Sequence, residues 1–403
     1  MEKLNIRSKA DIILTFKWKS SIGYHEENYF GKLNVWRDLD LLPKKLQEEL
    51  IDSESGKEFS VSFKRGELIP FSEENIIEIE RSFFDPPKPY KLLQPKLGRF
   101  YPLGFFKGLA GVFPANCKPT RVIDIKNSKL TIDTNIPISR YDLDVIVSVD
   151  RIVKKSADVG GECKNWCLLP LEDGPGMQVR YDGVMTDFEF DNPEAFKRQD
   201  ETDDTIFYKE PRITTHIDSK CHENLINLYR RILPNNGKVL DLMSSVQSHI
   251  PEENNYYVIG LGLNNEEMKQ NRILKDRVIH DLNKNPTLPF NNEEFDVVIC
   301  DLSIDYVTKP LEIAREIRRI LKPEGIVTFS FSNRYFLPKV IKLWVDLHEF
   351  ERMGYVLEIL LRTGGFKDFK TFSYRNYKRP YDDKYYGCTF LSDPLYVVYA
   401  KKA

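Results

Sequence analysis

Two rhythms of apolar and polar positions divide the chain. Up to about residue 155, apolar side chains alternate with polar ones over short runs, the period of two of half-buried strands. Ile12–Trp18 and Glu58–Phe63 read this way, with a short helix, Lys44–Leu50, between them. Arg121–Ile125 and Leu130–Asp133 predict a hairpin across Lys126–Lys129, and Leu143–Val149 closes the series. Asp85-Pro86-Pro87-Lys88-Pro89 marks an extended turn. Residues 156–206, with Gly160-Gly161, Gly174-Pro175-Gly176 and the acidic run from Asp200 to Asp204, read as a connecting region. From about 207 the pattern becomes α/β. A helix over Ser219–Ile232 precedes the buried strand Lys238–Leu242. Next come the strand Tyr256–Leu261, a helix from Asn265, the strand Asp296–Cys300, a helix over Leu311–Leu321 and the strand Gly325–Ser330. That alternation predicts a parallel sheet with crossover helices. Phe366–Phe372 and Leu395–Ala400 are strands with no helix between them, which predicts an antiparallel terminal pair.

Composition narrows the function classes. The 59 Lys and Arg nearly balance the 61 Asp and Glu in 403 residues, a net charge of −2. This excludes a polybasic nucleic-acid binder and a long acidic disordered chain. No run reaches the roughly 18 apolar residues of a membrane span, and the N-terminal residues lack the apolar stretch of a secretion signal. Six scattered cysteines do not form a disulfide framework. A soluble, cytoplasmic protein is expected, with neither membrane nor nucleic acid as partner. Cys163 and Cys167 lie close together, but no second pair follows at zinc-site spacing, so no metal is expected.

In an open parallel sheet, ligands bind beyond the carboxyl ends of the strands, at the switch in strand order. Five segments converge there: Val239–Ser245, Ile259–Asn265, His280–Asn283 with Leu288-Pro289-Phe290, Cys300–Ser303, and Phe331–Arg334. Residues 207–403 resemble a class I S-adenosylmethionine-dependent methyltransferase. The resemblance rests on Gly237-Lys238-Val239-Leu240-Asp241-Leu242, on Leu288-Pro289-Phe290 followed by Phe295–Val298, on Leu321-Lys322-Pro323-Glu324-Gly325, and on Thr363–Phe366. It implies an α/β Rossmann-like sheet and S-adenosylmethionine as cofactor, with S-adenosylhomocysteine as product. It also implies a cofactor site formed by Asp241, Met243, Ser244, Ser245, Gly262, Leu263, Asn264, Asp281, Leu282, Asp301 and Leu302. Asp281 would accept from the adenine amino group, with Leu282 against the ring. The chain departs from the family at the first loop, where Met243, Ser245 and Gln247 replace glycines. It departs again at Gly262, where an acid ordinarily binds the ribose, so that Asn264 or another group must substitute. His216 and His249 are the candidate general bases. Arg212 is the candidate for an anionic group of the substrate or cofactor, and Tyr208 and Asn333 are weaker candidates. The methyl acceptor is expected to be a small molecule, with a peptide or protein as the alternative. A chaperone-like folding module carrying a vestigial methyltransferase domain is the non-enzymatic reading.

The N-terminal half is similar to the SlyD-type FKBP prolyl isomerases, an α+β, β-rich domain. The similarity is carried by Ile132–Ile138 before the last strand and by Leu41-Leu42-Pro43 before the short helix. It implies an FKBP-like domain over 1–155, with an inserted flap at about 85–130, that recruits a substrate or covers a site. Ile136 stands in place of the family's histidine and Phe16 in place of a common tyrosine, which puts isomerase activity in doubt. The aromatics Phe100, Tyr101, Phe105 and Phe106 read as core or as a binding surface.

Overall fold

The computed structural model describes residues 3–88, 90–157 and 161–403. Pro89 of the expected turn, Gly160 and the first two residues lie outside that set. The chain divides into two units, Met1–Phe188 and Glu189–Ala403.

In the first unit, β1 (Ser8–Lys19) and β2 (Gly23–Asn34) form a long antiparallel hairpin with Ile12 opposite Gly31 and Phe16 opposite Glu27. The alternation in β1 is that of the sequence, but β2 has no apolar alternation because His25, Glu26, Glu27 and Asn28 are all buried. Such a strand is specified by hydrogen bonds: Gln178 Nε2 and Trp18 Nε1 both donate to Glu27 Oε1, at 2.9 and 3.4 Å. Helix α1 (Lys44–Leu50) packs Leu46 and Leu50 inward before β3 (Glu58–Phe63). A second sheet follows, made of β4 (Ile76–Glu80), β5 (Phe100–Pro102), β6 (Pro119–Lys126) and β7 (Lys129–Asp133), in the order β4-β7-β6-β5. Asn127, at φ +50°, turns the β6–β7 hairpin. Tyr101, Phe105 and Phe106 are buried in this sheet's own core with Val122, Leu130 and Ile132, and Phe100 is buried too. They are therefore core residues and not a binding surface. β8 (Leu143–Lys154) returns to pair with β1 and β3.

The stretch expected as a connection, 156–206, is shared between the units. Trp166 Nε1 and the Lys164 amide donate to Asp38 at 2.9 and 3.0 Å, and Trp166, Cys167 and Leu171 join the first core. Arg198 and Asp204 belong to the second unit.

In that second unit helix α2 (Ser219–Ile232) is capped by Asp218, whose carboxylate accepts from the Cys221 amide at 2.9 Å. The strands are β9 (Asn236–Leu242), β10 (Asn255–Gly262), β11 (Leu274–Ile279), β12 (Phe295–Asp301), β13 (Leu321–Phe331), β14 (Phe366–Arg375) and β15 (Leu395–Lys402). Their order is β11-β10-β9-β12-β13-β15-β14. The first five are parallel, and β15 is antiparallel to both neighbours. Helix α3 (Asn265–Gln270) follows β10, and α4 (Pro310–Ile320) precedes β13. Two elements have no sequence signal. β11 exposes Lys275, Asp276 and Arg277 at the sheet edge. α5 (Glu349–Thr363) is buried on every face from Phe350 to Leu360, so it has no amphipathic stripe. Among the described residues no helix is long and apolar enough to cross a membrane, and no cluster of three or more His, Cys, Asp or Glu side chains could hold a metal. Cys163 is exposed while Cys167 is buried, and burial pushes the Cys167 thiol up to about 12.

Candidate active site

The strand order switches between β9 and β12, and each carries an aspartate at or next to its carboxyl end there, Asp241 buried and Asp301 partly buried. Asp241 Oδ2 accepts from the hydroxyls of Ser244 and Ser248 at 2.7 and 2.6 Å, and burial raises its carboxyl to about 7. Asp301 Oδ1 accepts from Tyr229 and Ser330, both at 2.6 Å, and burial raises it to about 6. Its Oδ2 is buried with no hydrogen-bond partner among the described residues.

The first loop holds the left-handed turn that a glycine ordinarily makes, but on Met243, at φ +60°. Ser244 then lies directly on the end of β10: its amide donates to the Leu261 carbonyl at 2.8 Å. A Cβ on Gly262 would stand 2.3 Å from the Ser244 carbonyl oxygen. The two departures from the family pattern are thus one feature. The backbone of the loop lies so close to the end of β10 that the strand has no room for a side chain at Gly262.

Asn264, expected as the ribose ligand, is fully engaged elsewhere. Its Oδ1 caps α3, accepting from the Glu266 and Glu267 amides at 3.0 and 3.1 Å. Its Nδ2 donates to the carbonyls of Tyr208 and Lys209 at 2.9 and 3.1 Å. Asn264 therefore pins the 208–212 segment, and Glu267 is the carboxylate left beside the end of β10. Glu267 accepts from the Arg212 amide at 2.8 Å and from Ser245 Oγ at 2.6 Å. Asp281 Oδ1 accepts from the Asn283 and Lys284 amides at 3.0 and 3.1 Å. Asn283 in turn donates to the Tyr306 carbonyl and to Asp204, both at 3.0 Å, which stitches three loops together.

Asp241, Ser244, Ser245, Asn264, Glu267, Asp281 and Asp301 line one cavity of about 650 Å³, and so do Leu263, Leu282, Leu302, Tyr208, Arg212, His216 and His249. Asn333 does not line it; its Oδ1 accepts from Arg352 at 3.2 Å. The two histidines differ in kind. His249 is buried, its Nδ1 lies 2.8 Å from His222 Nδ1, and burial drives it down to about 3. A ring so resistant to protonation is a wall of the cavity and not a general base. His216 opens to solvent on one side, and desolvation by the protein on the other, with Lys384, Arg212 and Arg334 nearby, holds it below its ordinary value. It is therefore neutral at pH 7 and free to accept a proton. Burial and Asp204 push the Tyr208 phenol up, so it remains a donor. The Arg212 guanidinium sits among three rings, 4.7 Å from the Phe207 centroid, 4.8 Å from Phe336 and 5.5 Å from Tyr208. Glu267, Asp204, Tyr306, Phe336 and Lys384 carry no sequence motif; they come from distant points of the chain, and only the fold collects them.

Residues 244–329 match the family model described as a methyltransferase domain. The chain is 32% identical over 66 residues to the malonyl-[acyl-carrier protein] O-methyltransferase of Marinomonas sp. (strain MWYL1), covering 16% of this chain and 24% of that protein. It is 43% identical over 44 residues to the ubiquinone biosynthesis O-methyltransferase of Histophilus somni (strain 2336), covering 11% and 18%. The matched stretches thus span less than a quarter of each of these relatives. Among solved structures, an S-adenosylmethionine-dependent methyltransferase from Mesorhizobium loti aligns over 44% of this chain and 96% of its own, at 16% identity and a TM-score of 0.28. The residues present fit the S-adenosylmethionine that the sequence resemblance implies. The cavity has room for a nucleoside with its amino-acid tail, and the Asp301 oxygen that no protein donor satisfies suits a cationic group. The second unit contains a stretch, residues 244–329, that matches a methyltransferase domain, and the cavity beside it has a lining that suits S-adenosylmethionine.

Proposed function

We propose that the protein transfers the methyl group of S-adenosylmethionine to a hydroxyl oxygen of a small molecule, inside the cavity at the carboxyl ends of β9, β10 and β12. The observation that carries this reading is a cavity of about 650 Å³ at the carboxyl ends of the strands with the exposed His216 imidazole, held below its ordinary value, on its wall. When bound, the cofactor would supply an electrophilic methyl carbon on a sulfonium, and transfer to the acceptor oxygen would break the C–S bond and release S-adenosylhomocysteine. The chain positions the acceptor, excludes water and takes its proton on the His216 imidazole. Asp281 and Leu282 would hold the adenine, Glu267 would stand in for the missing ribose acid, and Asp301 with Asp241 would hold the positive end of the cofactor. An oxygen acceptor agrees with the two curated relatives, both named O-methyltransferases.

Calorimetric titration with S-adenosylmethionine and S-adenosylhomocysteine tests the reading, with micromolar binding expected. Asp281→Ala should weaken both ligands by about 1–3 kcal/mol, the scale of a lost charged hydrogen bond. Unchanged affinity would remove the adenine site from Asp281.

The first unit is read as an FKBP-like module that recruits the acceptor. A β1–β8–β3 sheet with a four-stranded flap inserted between β3 and β8 supports this, as does the Pro137–Arg140 turn before β8. Phe16 is fully buried, and Ile136 replaces the histidine. A proline-containing test peptide should therefore show no gain in cis/trans exchange. Acceleration would make the module an active isomerase.

A further inference from the structure

The cavity has a positive wall that none of its carboxylates answers. Asp204 is held by Arg198, Lys339 and Asn283; Asp241 and Asp301 take hydroxyls; Asp281 takes backbone amides; and Glu267 takes the Arg212 amide and Ser245. Arg212 and Lys384 both line the cavity, and neither has a carboxylate partner among the described residues. The Lys384 ammonium donates to Thr214 Oγ1 at 3.4 Å, two residues from Arg212, and both cations are close enough to bear on the His216 ring. The neighbouring Arg334, by contrast, is neutralised by Asp393 at 3.0 Å and Asp383 at 3.4 Å. Phe207, Phe336 and Tyr208 gather around Arg212, and among the described residues the N–H fork of its guanidinium donates to no acceptor. That fork matches a carboxylate or phosphate bidentately.

From this geometry we infer that the acceptor is an anion: a hydroxylated molecule bearing a carboxylate or phosphate that the Arg212 fork grips, with Lys384 as the second charge, beside the oxygen that His216 deprotonates. The inference rests on the methyltransferase reading for the hydroxyl, but the anion site stands on Arg212 alone. The probes are phenyl phosphate and benzoate, with neutral benzamide as control, titrated calorimetrically into the full chain with and without S-adenosylhomocysteine. At least one anion should bind the S-adenosylhomocysteine-saturated protein about tenfold or more tighter than benzamide. Arg212→Gln should remove that preference and leave S-adenosylhomocysteine affinity unchanged, while Arg212→Lys should restore it in part. Anions that bind no better than benzamide, or not at all, overturn the inference. It is equally overturned if Arg212→Gln weakens S-adenosylhomocysteine but not 5′-methylthioadenosine, which lacks the amino-acid tail, because Arg212 would then hold the cofactor's own carboxylate. If the unaltered protein fails to bind S-adenosylhomocysteine, the methyltransferase reading falls, and the titrations without it still decide the anion site.

Discussion

His216→Gln should slow methyl transfer by about 10²–10⁴-fold, the contribution of a positioned general base, and leave S-adenosylhomocysteine affinity unchanged. Glutamine keeps the hydrogen-bonding character of the side chain but cannot take a proton at neutral pH. Transfer of tritium from methyl-labelled cofactor to acceptor measures the rate, and calorimetry measures the affinity. The pH dependence has a definite sign. His216 is held below the ordinary histidine value of 6.5 by desolvation first; Glu267 opposes the shift, and Lys384, Arg212 and Arg334 add to it. It is the base in its neutral form, so the rate is flat through neutrality and falls as pH drops through a value below 6.5. The glutamine variant should lose that acid limb. If rate and cofactor affinity instead fall together, His216 lies against the cofactor and the base must be sought elsewhere.

Asp204→Asn should destabilise the protein by about 3 kcal/mol, the low end for breaking a buried ion pair, because it removes the nearest countercharge from two buried cations, whose remaining carboxylates are Glu201, 3.3 Å from Arg198, and Asp200, 3.8 Å from Lys339. Asp204 receives both Nη1 contacts of Arg198 at 2.8 Å and the Lys339 ammonium at 3.0 Å. The side chain of Lys339 is 0% exposed and that of Arg198 7%, so water cannot take over the lost interaction. Burial alone would raise the Asp204 carboxyl. The hydrogen bonds from Asn283, Arg198 and Lys339, with the Arg198 charge, outweigh burial and hold it below the ordinary value. Its stabilisation is therefore present at neutral pH and is lost as pH falls through that depressed value. Urea unfolding of the variant measures the effect, and hydrogen exchange over residues 198–212 should rise with it, since Asp204 fastens that segment to the cavity rim. A change of about 0.5 kcal/mol or less, as for an ordinary surface substitution, would show that the ion cluster does not hold the segment.

Regular elements with one buried face were legible in the sequence. Ser219–Ile232 and Lys44–Leu50 are helices with the expected bounds, and the β6–β7 hairpin and the antiparallel β14–β15 pair stand where alternation put them. What failed was any element whose burial does not follow a period. The long β2 strand buries acids and amides, α5 is enclosed on all sides, and β11 is an exposed edge; local hydropathy carries no instruction in any of the three. The connecting region could not be divided from composition either, because its allegiance rests on single contacts such as Trp166 with Asp38 and Arg198 with Asp204.

The candidate site splits the same way. By itself, the sequence determined the ends of β9 and β12, because each is a run of buried residues that reaches a polar group: Asp241 after Leu240, Asp301 after Cys300. A motif of contiguous residues fixes which side chains leave the sheet at its carboxyl edge. Tertiary structure alone decided what those side chains do. It occupied Asn264 in a cap, sealed His249 against His222, left His216 open and neutral, and brought Phe336 and Lys384 across from loops more than a hundred residues away to face Arg212. Hydrogen-bond commitment, desolvation and charge pairing are properties of a side chain's neighbours in space. The chain order does not list those neighbours until the sheet has assembled them.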